Sequence, residues 1–434
     1  MGAATGEHMR WVGAAGLAGG MLLLVAGCGA TDPYANAAPA SPAPSHPAAF
    51  PAPSQSAAFL SPSRSAAPDW VGTWGVAMTD GGQAFERQTV RQIVHTSVAG
   101  DRARLELSHA FGRTPLVIGG VHVARQVSGS TIDPATDTVV TFGGRTAVTI
   151  PAGGTVTSDP VSFAVPADAD LAVSVHLPAA TGETTRHPLG TRDNFIGTGD
   201  QLTATSIRGA ETSSNYFFLT GLDVHNSAAE GTVVAFGASI TDGLDSAFGA
   251  NQRWPDLLAD RLRAAGRTIG VVNTGISGNR LTADGTDGRG ESAAHRFERD
   301  VLRRTGVRWV IISDDPLNDL GSHRAPGSDE IISAYRQLID RGHAAGIRVI
   351  CSTLTPFRGA DYWSSRGEQG RAEVNAFVRG AGSGCDAVLD QDAATHDPAS
   401  PTRFLAANDS GDHLHPGDKG MRVIAGAVDL DWFD

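Results

Sequence analysis

The sequence predicts a flavodoxin-like, three-layer α/β/α domain with a parallel five-stranded sheet, preceded by an all-β sandwich or jelly-roll domain. Three observations predict it. At 434 residues the chain is too long for one ordinary core. Apolar and polar residues alternate with a period of two over residues 69–228. Over residues 229–434, short apolar runs alternate instead with helix-like segments.

The first of these regions is predicted to be antiparallel. Leu171, Val173, Val175 and Leu177 alternate with small or polar residues, and glycine pairs such as Gly143-Gly144 supply turns. No nucleophile constellation is visible in this region. Its single, scattered histidines are interpreted as partly buried strand or loop residues: His95, His109, His122, His176 and His187.

The second region is predicted to consist of βαβ units. The apolar runs are Thr232–Phe236, Ile269–Asn273, Val307–Ser313, Ile347–Thr353 and Asp386–Leu389. Strands that alternate with helices require a parallel sheet with right-handed crossovers. Because ligands of such sheets bind outside the carboxyl ends of the strands, the loops after these runs are where we look for chemistry.

The N-terminus indicates export. Trp11 to Gly27 contains no charge, and it ends in Val25-Ala26-Gly27-Cys28, which resembles the lipobox of bacterial lipoproteins. We therefore predict a lipoprotein signal peptide over residues 1–28, with lipidation at Cys28. The alternative is a plain signal peptide or short anchor. Residues 29–68 are rich in Pro, Ala and Ser and predict a disordered tether. The expected location is extracytoplasmic, either lipid-anchored to the bacterial membrane or secreted.

Charge and cysteine content indicate which partners and which cysteine states to expect. The net charge of −12 argues against nucleic acid, because there is no basic surface to neutralise phosphates. Once Cys28 is assigned to lipid, Cys351 and Cys385 remain as an even pair. They are either a disulfide in an oxidising compartment or two buried free thiols. We expect a monomer.

The predicted strand-end loops hold the residues that a serine hydrolase needs. Ser239 follows the first strand as a candidate nucleophile, and Asp412 and His415 are close enough in sequence to pair. The backbone N–H groups of Ser239 and Gly278 and the side-chain amide of Asn318 are candidate oxyanion donors. His413 and His415 alternate like metal ligands, but no second motif at ligand spacing accompanies them. We interpret Asp314, Asp315 and Asp319 as solvated or turn-forming.

Four stretches of the sequence, in this order along the chain, resemble the sequence blocks of the SGNH (GDSL) hydrolase superfamily. Two of them match closely: Gly275-Ile276-Ser277-Gly278-Asn279-Arg280 and Asp412-His413-Leu414-His415-Pro416. The resemblance places its name residues on Ser239, Gly278, Asn318 and His415, with Asp412 as the triad acid. The opening Trp70-Val71-Gly72-Thr73-Trp74 is similar to an actinobacterial-like subgroup with an N-terminal β-rich domain. The resemblance implies hydrolysis of carboxylic esters of small molecules, lipids or carbohydrates, with no metal or organic cofactor.

Two positions depart from the family pattern. Ala238 replaces the aspartate of G-D-S, and Pro316 replaces a glycine two residues before Asn318. We expect Pro316 to push Asp315 toward an extended conformation and to alter the aim of Asn318. These departures favour an alternative function, a weak or inactive surface lipoprotein that binds glycan or cell-wall polymer.

Each site residue also has a structural alternative. Ser239 could be a helix N-cap, Gly278 a turn glycine, and Asp412 and His415 a loop hydrogen-bond pair. An α/β-hydrolase nucleophile turn is excluded, because Thr241 occupies its last glycine position.

Overall fold

The computed structural model describes residues 69–286 and 288–434, which belong to one compact unit. The predicted signal peptide, Cys28 and the whole predicted tether lie outside the described residues. Within the described part of the chain, no helix combines the length and apolar character needed to cross a bilayer.

The first part of the unit consists of short strands. Their bounds are β1 (Trp70–Gly75), β2 (Gln88–Thr96), β3 (Arg102–Ser108), β4 (Leu116–Ile118), β5 (Gly120–Ser128), β6 (Thr131–Ile132), β7 (Thr138–Val140), β8 (Val148–Ile150), β9 (Thr155–Thr157), β10 (Ala169–Leu177), β11 (Arg186–His187), β12 (Asn194–Thr198), β13 (Glu211–Ser213), β14 (Tyr216–Phe217) and β15 (Leu219–His225). A 3-10 turn covers Pro134–Thr136.

Two antiparallel sheets dominate this region, in the orders β1-β15-β3-β9 and β13-β12-β2-β10-β5-β6, and β7 also pairs with β5. Their inward side chains share one core, in which Leu105 and Leu222 of one sheet meet Val90 and Val173 of the other. The alternation seen at Leu171, Val173 and Val175 therefore marks a real inner face. The β-sandwich is confirmed.

The second part alternates strands and helices. Its strands are β16 (Gly231–Phe236), β17 (Ile269–Asn273), β18 (Val307–Ile312), β19 (Arg348–Ser352), β20 (Ala387–Leu389), β21 (His396–Asp397) and β22 (Ser400–Phe404). Its helices are α1 (Ser239–Asp242), α2 (Trp254–Ala264), α3 (Ala293–Phe297), α4 (Asp315–Leu320), α5 (Ser328–Ala344), α6 (Ser365–Arg379), α7 (Gln391–Thr395) and α8 (Asp418–Gly426). A π-helix spans Glu298–Leu302, and a 3-10 turn spans Leu430–Phe433.

The five-stranded sheet is parallel, with the order β17-β16-β18-β19-β20, so the flavodoxin-like prediction is confirmed. Helix α2 packs with α8, and α5 packs with α6 and β19. The chain crosses from β17 over β16 to β18, which places the topological switch point at the carboxyl end of β16. Ser239 begins the helix that follows this strand end.

The sandwich packs directly on the parallel sheet. The Gly72 N–H lies 3.0 Å from Thr232 Oγ1, and Arg304 donates to the carbonyls of Val76 and Thr220 at 2.7 and 2.9 Å. Separating the two parts would leave this buried guanidinium without those acceptors, which is costly. The sandwich and the α/β part therefore stabilise each other through these contacts. The domain limits predicted at residues 228 and 229 stay a prediction.

The remaining cysteines are joined in the structure. Cys351 in β19 and Cys385, just before β20, form a disulfide with Cα atoms 5.8 Å apart. The bond ties neighbouring strands of the parallel sheet at the edge away from Ser239.

Candidate active site

Ser239 and His415 meet at the carboxyl edge of the parallel sheet. Ser239 is the first residue of α1 and is 7% exposed. The Nε2 atom of His415 lies 2.8 Å from Ser239 Oγ. On the other side of the ring, Nδ1 lies 2.6 Å from Asp412 Oδ2. The structure thus brings together the three residues predicted as a triad.

The loop around Asp412 determines its charge. Its Oδ1 accepts the N–H groups of Leu414 and His415 at 2.9 and 2.8 Å. Burial alone would raise the pKa of Asp412, but the hydrogen bonds from His415 and Leu414 outweigh it and hold that pKa below its ordinary value. The ionised carboxylate accepts the Nδ1 proton, so the Nε2 lone pair faces the serine hydroxyl.

Asp314 supplies the carboxylate that position 238 lacks. One oxygen accepts the Ala238 N–H at 3.0 Å and the Thr241 hydroxyl at 2.6 Å, and the other accepts the Ile240 N–H at 2.8 Å. Gly237 makes room, because a Cβ there would lie 2.4 Å from Asp314 Oδ1. The turn at residues 237–241, called the nucleophile turn below, is therefore held in place by a side chain from the loop after the neighbouring strand β18.

The acidic residues after β18 are buried, so the interpretation of them as solvated is wrong. Asp314, Asp315 and Asp319 are exposed by 2%, 0% and 1%. Asp319 accepts from Leu281 N, Thr282 N and Thr282 Oγ1 at 2.6, 3.1 and 2.5 Å. Each of these carboxylates fixes a loop of the site or an element behind it.

The expectation for Pro316 is also wrong. Asp315 is not extended, because it is the first residue of α4, and Pro316 lies in the first turn of that helix. A proline there loses no hydrogen bond, because the first N–H groups of a helix have no intrahelical partner. The two departures from the family pattern are thus accommodated by Asp314 and by the start of α4.

Two of the predicted oxyanion donors, Gly278 and Asn318, meet at the loop after β17, called the oxyanion loop below. Gly278 has a left-handed backbone with φ 77°, and its neighbour Asn279 accepts from Asn318 Nδ2 through its carbonyl at 2.8 Å. An amide group has two N–H bonds, and this contact uses one of them. Among residues 69–286 and 288–434, the backbone N–H groups of Ser239 and Gly278 have no protein acceptor.

A buried arginine joins the three loops. Arg296 is fully buried, and its guanidinium donates to the Gly237 carbonyl, the Thr274 carbonyl and Asn279 Oδ1 at 2.9, 2.7 and 2.9 Å. It also lies 3.3 Å from Asp315 Oδ1. Burial raises the pKa of Asp315 to about 7 against the opposing charge of Arg296. Arg296 thereby sets the spacing between the nucleophile turn and the oxyanion loop.

One carboxylate besides Asp412 approaches the imidazole. Asp245 Oδ2 lies 3.8 Å from His415 Nδ1, and the Ser410 hydroxyl donates to it at 3.0 Å. Asp245, Asp412 and His415 each bring one potential metal-ligand atom within 4.8 Å of the others. Because Nδ1 is already hydrogen-bonded to Asp412, we interpret this grouping as two residues of the predicted triad with one exposed carboxylate beside them.

Two further residues near Ser239 were not singled out from the sequence. Asp242, the last residue of α1, accepts from the backbone N–H and the hydroxyl of Ser277 at 2.9 and 2.7 Å. His187, interpreted above as an isolated sandwich residue, contacts Asp242 from the other side at 3.0 Å. The sequence offers no sign of this contact, because His187 lies in strand β11 of the sandwich and Asp242 lies in helix α1, 55 positions further along the chain.

Known proteins similar to this chain include one family and several solved structures. The GDSL-like lipase/acylhydrolase family model matches residues 235–423. Among solved structures, the chain is similar to the M. smegmatis aryl esterase at 17% identity, covering 45% of this chain and 95% of that one, with a TM-score of 0.37. It is also similar to Est24, a carbohydrate acetylesterase from Sinorhizobium meliloti (16%, 45% and 95%, TM-score 0.36). The acetyl xylan esterase AlAXEase is a third (20%, 45% and 96%, TM-score 0.34).

Proposed function

We propose that this chain, which carries a carboxylic ester hydrolase domain of the GDSL type over residues 235–423, works by a serine acyl-enzyme mechanism outside the cytoplasm. The observation that carries the proposal is the hydrogen-bonded series from Ser239 Oγ to His415 to Asp412, at 2.8 and 2.6 Å. A nucleophile, a base and an orienting carboxylate within hydrogen-bond reach are what acyl transfer requires.

The first half of the reaction forms the acyl-enzyme. Ser239 Oγ attacks the ester carbonyl carbon while His415 Nε2 takes the hydroxyl proton, and ionised Asp412 stabilises the resulting imidazolium. The negative charge on the carbonyl oxygen is met by the N–H groups of Ser239 and Gly278 and by Asn318 Nδ2. When the tetrahedral intermediate collapses, His415 gives the proton to the departing alcohol.

The second half releases the acid. Water loses a proton to His415 Nε2 and attacks the acyl carbon, and the same donors hold the second oxyanion. Collapse returns the proton to Ser239 Oγ. Because every proton moves through one nitrogen, the position of His415 relative to Ser239 governs both halves.

The proposed reaction is tested with the full chain and its Ser239→Ala variant. We expect a fluorophosphonate probe to label the parent and not the variant, and turnover of p-nitrophenyl acetate to fall by about 10⁴-fold or more. Ser246→Ala, which removes a serine of the following loop, is the matched control and should label normally. If Ser239→Ala matches the parent in both assays, the acyl-enzyme mechanism is lost and a binding role for the domain becomes the better description.

The location is proposed from the N-terminus and the disulfide. Val25-Ala26-Gly27-Cys28 fits lipidation at Cys28, and a Cys351–Cys385 bond suits an oxidising compartment. We expect the full chain to sediment with membranes and Cys28→Ala to move to the soluble fraction. Fractionation that is the same for both proteins would contradict the lipid anchor while leaving the esterase assay unaffected.

A further inference from the structure

His187 reaches from the sandwich to the helix that carries Ser239. It lies in β11 and is 1% exposed. Its Nε2 atom is 3.0 Å from Oδ1 of Asp242, which is 2% exposed at its side chain. A fully buried pair of this kind joins the two parts of the molecule three residues after the nucleophile.

The surroundings of the ring determine its protonation. Nδ1 lies 2.9 Å from the Ala77 carbonyl, and Nε2 lies 3.0 Å from both the Leu189 carbonyl and Asp242 Oδ1. Carbonyl oxygens accept and never donate. A neutral imidazole would turn one lone pair toward the Ala77 or the Leu189 carbonyl, which is unfavourable. These contacts therefore favour an imidazolium for His187, paired with the carboxylate of Asp242.

Within the described residues, no carboxylate other than Asp242 forms a hydrogen bond or ion pair with His187. The Tyr216 ring centroid lies 6.4 Å from that of His187, and the tyrosine hydroxyl donates to the Ile93 carbonyl. Arg253, whose charge acts on Asp242, is paired with Asp256 at 2.8 and 3.0 Å. Burial alone would lower the pKa of His187, but the charge of Asp242 and the three acceptors raise it above its ordinary value.

Asp242 passes the constraint to both halves of the catalytic site. Its own N–H donates to the Ala238 carbonyl at 2.8 Å, which closes the single turn that Ser239 begins. Its second oxygen, Oδ2, holds the backbone N–H and the hydroxyl of Ser277, the residue before Gly278. The position of Asp242 thus sets the distance between the serine and the oxyanion loop.

The same part of the sandwich supports the loop beyond Gly278. Thr79 pairs with Arg186 through two backbone hydrogen bonds of 2.6 and 3.0 Å. A Cβ on Gly290 would lie 3.2 Å from Thr79 Cγ2, and one on Gly288 would lie 3.3 Å from the Arg186 guanidinium. The sandwich therefore contacts the oxyanion loop at two places, directly here and through Asp242.

We propose that His187 is a positioning residue for ester hydrolysis, and that the sandwich is part of the catalytic machinery through it. As an imidazolium it holds Asp242, and Asp242 holds Ser277 so that the Gly278 N–H faces the oxyanion. This inference rests on the proposed function. It assigns the β-rich domain a role in turnover that does not require the domain to touch substrate.

The inference has a definite pH dependence. Because the folded-state pKa of His187 is raised, the imidazolium is fully present below about pH 6.5, the ordinary histidine pKa, and is lost as the pH rises through the raised value. Loss of the proton leaves Asp242 buried without its charged partner and loosens Ser277. We therefore expect kcat to fall on the alkaline side, with KM little changed.

The test compares His187→Gln with a matched control. Glutamine keeps an N–H donor for Asp242 but cannot titrate. We therefore expect kcat to fall by about ten-fold, which is less than the 10²–10³-fold loss expected when a whole oxyanion donor is removed. KM should stay within about two-fold of the parent, and the fall in kcat at alkaline pH should disappear. His122→Gln removes a His–Asp contact of 3.0 Å in the sandwich, between His122 and Asp137, and should leave all three quantities unchanged. Thermal melting of both variants establishes that they fold.

A second measurement does not depend on activity. In protein labelled with ¹⁵N-histidine, the resonances absent from His187→Gln identify the His187 ring, and we expect both nitrogens to remain protonated at a pH above about 6.5, where an ordinary histidine has lost most of its charge. A neutral ring at that pH, or an alkaline limb that His187→Gln leaves unchanged, would overturn the inference. Failure of the proposed function would give a different result. The esterase activity of the parent would then equal that of Ser239→Ala, while the ¹⁵N resonances would still show the His187 imidazolium.

Discussion

Two histidine–aspartate pairs approach the helix that begins at Ser239, and their surroundings separate their roles. In the first, called the surface pair below, the Asp412 side chain is 44% exposed although that of His415 is only 8% exposed. In the second, the buried pair, the side chains of His187 and Asp242 are exposed by 1% and 2%. His415 faces a hydroxyl, which can give or take a proton. His187 faces only acceptors, so it keeps both ring protons to a higher pH than an ordinary histidine. We therefore expect the same two side chains to act as a proton carrier in one place and as a positioning pair in the other.

The largest effect should come from neutralising the surface pair. We expect Asp412→Asn to lower kcat by about 10³–10⁴-fold, because the amide no longer stabilises the imidazolium and can hold His415 in the wrong tautomer. Hydrolysis of p-nitrophenyl acetate by the full chain measures this.

Asp245 provides the control for that change. It is 42% exposed and 3.8 Å from His415 Nδ1. We expect Asp245→Asn to stay within about three-fold of the parent, because such exposed charge pairs contribute little. Equal losses of kcat in Asp412→Asn and Asp245→Asn would mean that both carboxylates support the His415 imidazole. The surface site would then contain more than one His–Asp pair, and the comparison with the buried pair would be wrong.

Local pattern predicted the fold and most of the site. The five apolar runs coincide with β16 to β20 to within two residues, because strands buried on both faces show as continuous apolar stretches. Ser239, Asp412 and His415 were recognisable because short motifs carry them and parallel strands deliver their ends to one edge. Their catalytic roles stay predictions until the variants are measured.

The supporting contacts were not predictable in the same way. Asp314 reaches Ala238 across 76 positions of sequence, and His187 reaches Asp242 across 55. Periodicity reports whether a side chain is buried, but not which residue it meets. The run of aspartates after β18 suggested solvent, whereas buried N–H groups and Arg296 satisfy those charges. Charge pattern alone does not distinguish the two cases.

Removing the Ser277 hydroxyl should have a smaller effect than breaking either pair. Ser277→Ala loses the 2.7 Å bond to Asp242 but keeps the backbone bond of 2.9 Å to the same oxygen. We expect kcat to fall by less than about ten-fold and the free energy of unfolding to fall by about 1.5–3 kcal/mol, the scale of one hydrogen bond to a charged group. Steady-state kinetics and urea unfolding measure the two quantities.

The combination of Ser277→Ala with His187→Gln is the most selective test of how the buried pair acts. If both residues act through the Asp242 carboxylate, the first substitution already weakens the hydrogen bonds that position this carboxylate. The second substitution then has less left to remove. The loss in kcat of the double variant should then be smaller than the product of the single losses. Independent contributions would multiply instead, and that result would mean that His187 supports the helix of Ser239 without passing through Ser277. The direct contacts of Thr79 and Arg186 with the loop at Gly288 and Gly290 would then be the route by which the sandwich acts.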